Sequence, residues 1–169
     1  MTFADYVDAR RREVEAALER HLAQPPAVPA VVADVMRALE KAGSEQTRKT
    51  YRRHGSTDPM FGVSFATLSV LQKRIRVDHD LALELWDTGN VDARNLAMKI
   101  ADPTVMKASD LDRWARENSM GMCLLYIASL ASESSHGNAK AREWLASSEV
   151  KLRAAGWTLV GILANRDET

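Results

Sequence analysis

The chain has one cysteine, Cys123, in 169 residues, which excludes an internal disulfide framework and fits a reducing compartment. Its glycines assemble into no phosphate-cradling loop and no nucleophile elbow, and no zinc signature occurs. Four histidines (His21, His54, His79, His136) are scattered without a carboxylate or cysteine at ligand spacing, so no metal or cofactor is expected. His79 and Asp80 read instead as capping at a helix start. The uncharged run Ser119 to Ser132 is too short to cross a bilayer. Asp5, Asp8 and Arg10 to Arg12 stand where a signal peptide would need an apolar region. No stretch alternates apolar and polar residues as a half-buried strand does. These absences point to a cytoplasmic, all-α protein with no membrane partner.

Net charge is zero, with 23 basic and 23 acidic residues, but the two signs are segregated. Residues 41–76 hold eight basic side chains against Glu45 and Asp58, and residues 77–118 hold nine acidic against five basic. A local field survives a vanishing total, and a phosphate responds to the local field. A solvated basic helix beside an acidic neighbour fits the same pattern.

What the chain does contain is helical periodicity, with apolar residues at i, i+3, i+4 and i+7. Val28, Val31, Val32, Val35, Met36 and Leu39 fill the pattern first, and Ala93, Leu96, Ala97 and Ile100 fill it again before Asp102-Pro103. A third match is Met120, Cys123, Leu124, Ile127, Ala128 and Ala131, and the fourth runs from Leu152 to Leu163. On this stripe Cys123 reads as a small buried hydrophobe.

Boundaries are marked by Gly43-Ser44, Gly55, Gly89-Asn90 and Gly137-Asn138, and by Ser109 with Asp112 as a capping box. In Leu85-Trp86-Asp87-Thr88-Gly89-Asn90-Val91, Gly89 can close one helix in the left-handed conformation while Asn90 caps the next. The spacing predicts about nine helices, starting near residues 2, 28, 44, 64, 78, 90, 109, 119 and 138, and a tenth near Glu149. From Ser64 onward they are short and paired. Periodicity alone supports an α-solenoid or a helical bundle, and the pairing suits HEAT-like repeats. The expected organisation is one domain, 1–169, with residues 1–60 as an N-terminal helical cap and 61–169 as stacked antiparallel helix pairs.

Two constellations invite a binding role. In Ser44 to His54, Arg48 and Arg52 are four apart, as are Lys49 and Arg53, giving two adjacent cationic rows with Tyr51 between them. An anionic backbone would relieve their repulsion, and so would the acidic helix holding Asp78, Asp80 and Glu84. On the last helix Glu149, Arg153 and Trp157 recur every four residues, with Lys151 close by. A guanidinium beside an indole can hold a phosphate, while a Glu149–Arg153 ion pair with Trp157 in a helix seam fits equally.

Met60-Phe61-Gly62-Val63-Ser64, Asp78-His79-Asp80-Leu81-Ala82-Leu83-Glu84-Leu85-Trp86, Gly89, Asp92-Ala93-Arg94 and Leu111-Asp112-Arg113-Trp114 together resemble the DNA alkylation repair family of the AlkD type. The resemblance covers roughly residues 46 to 163. It implies HEAT-like repeats with a concave, basic, DNA-binding surface, and in some members metal-free hydrolysis of the N-glycosidic bond of cationic alkylated purines.

The family's active enzymes carry a tryptophan and, four residues later, an aspartate. Those positions fall here on Met120 and Leu124, while Glu117 and Asn118 do not fit the spacing. The family's paired arginines appear as Leu152-Arg153-Ala154-Ala155, which keeps Arg153 alone. The chain also stops at Thr169, short of the helix pairs that usually complete the arch.

Three functions follow as expectations. The first is a duplex-DNA-binding family member using Arg48, Lys49, Arg52, Arg53, Lys151, Arg153 and Trp157, with no catalytic residue assigned and weak or no glycosylase activity. The second is an active alkylpurine glycosylase using Glu117 or Tyr126. The third is a protein-interaction scaffold or homodimer joined through the C-terminal helix face.

Overall fold

The computed structural model describes residues 31–119 and 121–167. The helix expected near residue 2 and the position of Met120 lie outside the described residues. Within them the chain forms nine α-helices and no strand. These are α1 (Val32–Ala42), α2 (Glu45–Arg53), α3 (Phe65–Ile75), α4 (His79–Asp87), α5 (Val91–Ile100), α6 (Ala108–Glu117), α7 (Leu124–Glu133), α8 (Gly137–Ala146) and α9 (Val150–Asp167). A single 3-10 turn, Gly121–Cys123, leads into α7, so that α-helix starts later than the apolar spacing suggests.

Four side chains start helices by accepting backbone amides: Ser44 from Thr47, Ser64 from Thr67, Asp78 from Leu81, and Asn90 from Asp92 and Ala93. Each such cap contributes about 1 kcal/mol. Asp78, not His79 or Asp80, caps α4. Gly89 closes α4 at φ +70°, as its place before Asn90 predicts. Gly43 has an ordinary φ of −68° and matters for space, because a Cβ there would lie 2.3 Å from the Phe61 carbonyl oxygen.

Two boundaries differ from the sequence reading. Ser109 does not cap α6, which starts at Ala108 without a side-chain cap. Asp112 instead accepts Trp144 Nε1 and Lys140 Nζ, both at 2.7 Å. A buried indole and an ammonium offer that carboxylate stronger bonds than an exposed amide would. Burial alone would pull the Lys140 ammonium down, but the bonds from Asp112 and Glu143 outweigh it and hold its pKa above the ordinary value. Gly137 and Asn138 are the first residues of α8, and the break falls at Ser134, whose hydroxyl donates to the Ala131 carbonyl.

Helices α3, α5, α7 and α9 stand side by side in one row, each packed on the next. Helix α4 packs on α5, α6 on α7 and α9, and α8 on both α7 and α9, forming a second layer, while α1 lies against α4 and α5. This is the stacked helix-pair arrangement of an all-α HEAT-like solenoid. The seam between the layers holds Trp86, Trp114 and Trp144, all essentially buried, with Trp86 and Trp114 stacked at 4.3 Å between centroids. Burying side chains of this size contributes about 2–3 kcal/mol each.

The bend before α3 is fixed by one carboxylate. Asp92, fully buried in the first turn of α5, accepts the amides of Phe61, Gly62 and Val63 at 2.6, 2.9 and 2.7 Å. Gly62 takes φ +81° there, and its carbonyl accepts the Ser44 amide at 2.9 Å. Tyr51 of α2 completes the junction by donating its hydroxyl to the Val63 carbonyl at 2.6 Å.

Candidate nucleic-acid interface

Helix α2 forms because Ser44 caps it, and it holds on to the body through Tyr51, its buried residue. The remaining faces carry the four cations, which the structure divides. Arg48 is half-buried, its Nε on Glu45 at 2.8 Å and its Nη1 on the Phe61 carbonyl at 3.1 Å. Arg52 lies 3.8 Å from the same carboxylate. The acid that relieves this row is therefore Glu45 of the same helix, one turn away, and not Asp78, Asp80 or Glu84. The Arg48 bond is the leading cause that lowers the Glu45 pKa. Lys49 and Arg53 are exposed, one turn apart, and neither forms an ion pair among the described residues, although Lys49 is near enough to Glu45 to help lower its pKa.

Helix α9 is divided in the same way. Arg153 donates to the carbonyls of Ser147 and Ser148 at 2.9 and 2.7 Å, closing the end of α8. Glu149 is bonded through both oxygens to Arg116 at 3.0 Å, so the Glu149–Arg153 pair does not form. Lys151 is exposed and reaches the Arg116 carbonyl at 2.8 Å. Trp157 fills no seam: it is 68% exposed. Thus α2 offers Lys49, Arg52 and Arg53, and α9 offers Trp157 and Lys151, which is exposed and keeps two donors beyond its bond to the Arg116 carbonyl. Arg48 and Arg153 are less exposed and turned onto backbone carbonyls.

Among the described residues no carboxylate takes the place that the chemistry of the resemblance would need. Leu124 opens α7 half-buried against the core. Glu117 accepts Trp86 Nε1 at 2.7 Å and Arg94 Nη2 at 3.2 Å, and the Arg94 guanidinium also lies over the Trp86 ring. Tyr126 stacks on Phe65 at 5.9 Å, and Phe65 in turn meets Tyr51 edge-on at 6.3 Å. This aromatic row leads from α2 to α7, and the Lys99 ammonium lies over Tyr126 and Phe65 at 5.0 and 5.8 Å. Sequence reasoning missed Lys99 and Phe65 because their association joins three helices and leaves no trace in local spacing.

Cys123 is buried, donates to Asn95 Oδ1 at 3.1 Å, and has its thiol pKa pushed up to about 12 by burial. It is neither a nucleophile nor a ligand in this state. No helix among the described residues is long and apolar enough to cross a membrane. Among the same residues no group of three potential metal-binding side chains converges.

Comparisons with known proteins agree with this architecture. A Listeria innocua (serovar 6a) protein described only as uncharacterised is 24% identical over 127 residues, covering 72% of this chain and 57% of its own. A solved structure matches with a TM-score of 0.73 and 36% identity, over 79% of this chain and 57% of that one. It comes from a family described as related to the HEAT-like repeat DNA glycosylases, with affinity for branched DNA structures. The chain spans little more than half the length of both relatives. The model of the DNA alkylation repair enzyme family matches residues 35–169, and the chain belongs to that family.

Proposed function

We propose that this protein binds DNA, branched or distorted DNA in preference to plain duplex, and releases alkylated purines weakly or not at all. Leu124 carries the reading. Where the family resemblance calls for a carboxylate, α7 opens with an aliphatic side chain packed on the core, while α2 keeps Lys49, Arg52 and Arg53 exposed around the single carboxylate of Glu45. Without that carboxylate the developing oxocarbenium charge loses several kcal/mol of stabilisation, at least a hundredfold in rate. Glu117 and Tyr126 are engaged by Trp86, Arg94 and Phe65, which argues against either as a substitute.

The relative with affinity for branched DNA supports the choice of DNA form. Lys49, Arg52, Arg53, Lys151 and Trp157 are the contacts on this reading, with Arg48 and Arg153 shaping the surface behind them. The packing of α1 on α4 and α5 supports residues 31–60, the described part of the expected 1–60 cap, as lying against the repeats of 61–169. A buried, unpaired Cys123 supports residence in the reducing cytoplasm.

The test is fluorescence anisotropy with a four-way junction and a linear duplex of the same sequence at several salt concentrations. A junction affinity above the duplex affinity, falling steeply with salt, is expected. Methylated purines released above the buffer rate would overturn the catalytic half.

A second reading rests on Trp157 and Val150, 68% and 71% exposed at one face of α9. An apolar surface of this kind suits a protein partner or a second copy. Light scattering separates the two readings: a dimer that Trp157→Ala dissociates, with no DNA retardation at low salt, favours the second.

A further inference from the structure

A groove of about 310 Å³ opens between α3, α5 and α7, lined among others by Gln72, Val77, Lys99, Pro103, Tyr126 and Leu130. Its cation is Lys99. The ammonium rests against Tyr126 and Phe65, and among the described residues no carboxylate lies within ion-pairing distance of it. Aromatic faces hold a cation in place but leave its N–H donors to be satisfied from the groove. The one acid on the rim, Glu133, is taken by Arg166 Nη2 and Ser129 Oγ, both at 3.2 Å. Among the described lining residues Lys99 is thus the charged group without an ion pair. Gln72 anchors its floor by donating to the Lys99 carbonyl at 3.0 Å. Val77, Pro103 and Leu130 supply an apolar flank, with Val77 65% exposed.

A recess with one cation, an aromatic wall and an apolar flank suits a molecule with one anionic and one flat apolar part. Its volume lies at the small end of ligand sites. We propose that this groove holds one unpaired nucleotide of a DNA strand, with its phosphate on Lys99 and its base against the Val77–Pro103–Leu130 flank. The inference rests on the DNA-binding reading above and adds a reason for the choice of substrate. A plain duplex keeps its bases stacked and can offer the groove only a phosphate, whereas a branch point or flap supplies a base already out of the stack.

The experiment compares a fork carrying a short unpaired thymidine flap with a linear duplex. Both are titrated with the wild type, Lys99→Met, Lys99→Arg and the Lys49→Ala/Arg53→Ala double variant. Lys99→Met keeps an apolar stem over the rings, and Lys99→Gln serves in its place if thermal melting shows it misfolded. Lys99→Met is expected to weaken fork binding about tenfold, leave duplex binding within twofold, and lower the salt slope for the fork by about 0.7. Lys99→Arg should retain fork binding. The double variant should weaken both DNAs. A flap bearing 5-iodouracil should photocrosslink to Tyr126.

Equal losses on fork and duplex with Lys99→Met, or no loss on either, would overturn the nucleotide site while leaving DNA binding intact. Crosslinks confined to α2 or α9 would do the same. A wild type that binds neither DNA would remove both proposals.

Discussion

The amide of Gly62 donates at 2.9 Å to the carboxylate of Asp92, a residue thirty positions further along the chain. The amides on either side of Gly62 end on the same carboxylate, so one buried charge orients the segment that joins α2 to α3. Charge-assisted bonds to a buried carboxylate are each worth more than a neutral pair.

Asp92→Asn should destabilise the fold by about 3 kcal/mol, because the amide group turns a donor toward three backbone donors. For a chain of this size that is a fall in Tm of roughly 6–12 °C. Thermal melting followed by circular dichroism measures it, and a Tm within about 2 °C of wild type would show that the carboxylate is not holding the bend.

Gly62→Ala and Gly89→Ala should differ in cost although both glycines have positive φ. A Cβ on Gly89 meets nothing within 4 Å, so its cost is conformational, about 1 kcal/mol. A Cβ on Gly62 would lie 2.4 Å from the Ser44 carbonyl oxygen and 2.7 Å from the Arg48 amide nitrogen. Backbone must then move on both sides, and the loss should be at least twice that of Gly89→Ala. Urea unfolding of the two variants gives the comparison directly.

Stability should fall on the alkaline side. Burial pushes the Cys123 thiol from 9.0 up to about 12, and burial first, then the nearby Asp92 charge, raises the Tyr51 phenol as well. In both cases the unfolded chain loses its proton first. The thiol's contribution is therefore complete below about pH 9 and the phenol's below about pH 10, and each declines as pH rises toward 12, by up to about 1.4 kcal/mol per pH unit. Cys123→Ala should flatten the urea midpoint against pH over that window. An aromatic disulfide reagent should label the native thiol at pH 8 only at the rate of unfolding. Labelling at the rate of a free thiol would contradict the burial.

Arg48 and the Lys49–Arg53 pair share a helix and should fail in different ways. Lys49→Ala/Arg53→Ala should leave the Tm nearly unchanged and lower the salt slope of DNA binding by about 2. Arg48→Ala releases the Phe61 carbonyl and the Glu45 carboxylate, so it should lower the Tm. Melting curves and binding titrations on the same preparations separate the two outcomes.

Much of the architecture could be read from short-range rules. Ser44, Gly89 and Asn90 signal through neighbours two to four residues away, and the structure uses them as that spacing predicts. Asp92 carried no such signal, since its three partners lie 29–31 residues earlier in the chain and meet it only after α5 has packed. The Ser109–Asp112 box failed for the same reason, because Trp144 and Lys140 outcompete a local amide for that carboxylate.

In α2 the cations were visible but their division was not. Glu45 lies one turn from Arg48, at a distance that helical spacing could have supplied, whereas the Phe61 carbonyl is brought in by the Asp92 junction. The alignment of Lys99 with Phe65 and Tyr126 had no precursor in the chain at all, since side-by-side packing of three helices creates it.

The four tryptophans form an optical contrast. Three indoles are sealed between the layers, where a soluble quencher such as acrylamide cannot reach them without opening the fold. The fourth, on α9, stands in water. Fluorescence quenching therefore isolates a single side chain without any label, and whatever covers that helix, whether nucleic acid or another polypeptide, would announce itself as a blue shift and a lost quenchable fraction.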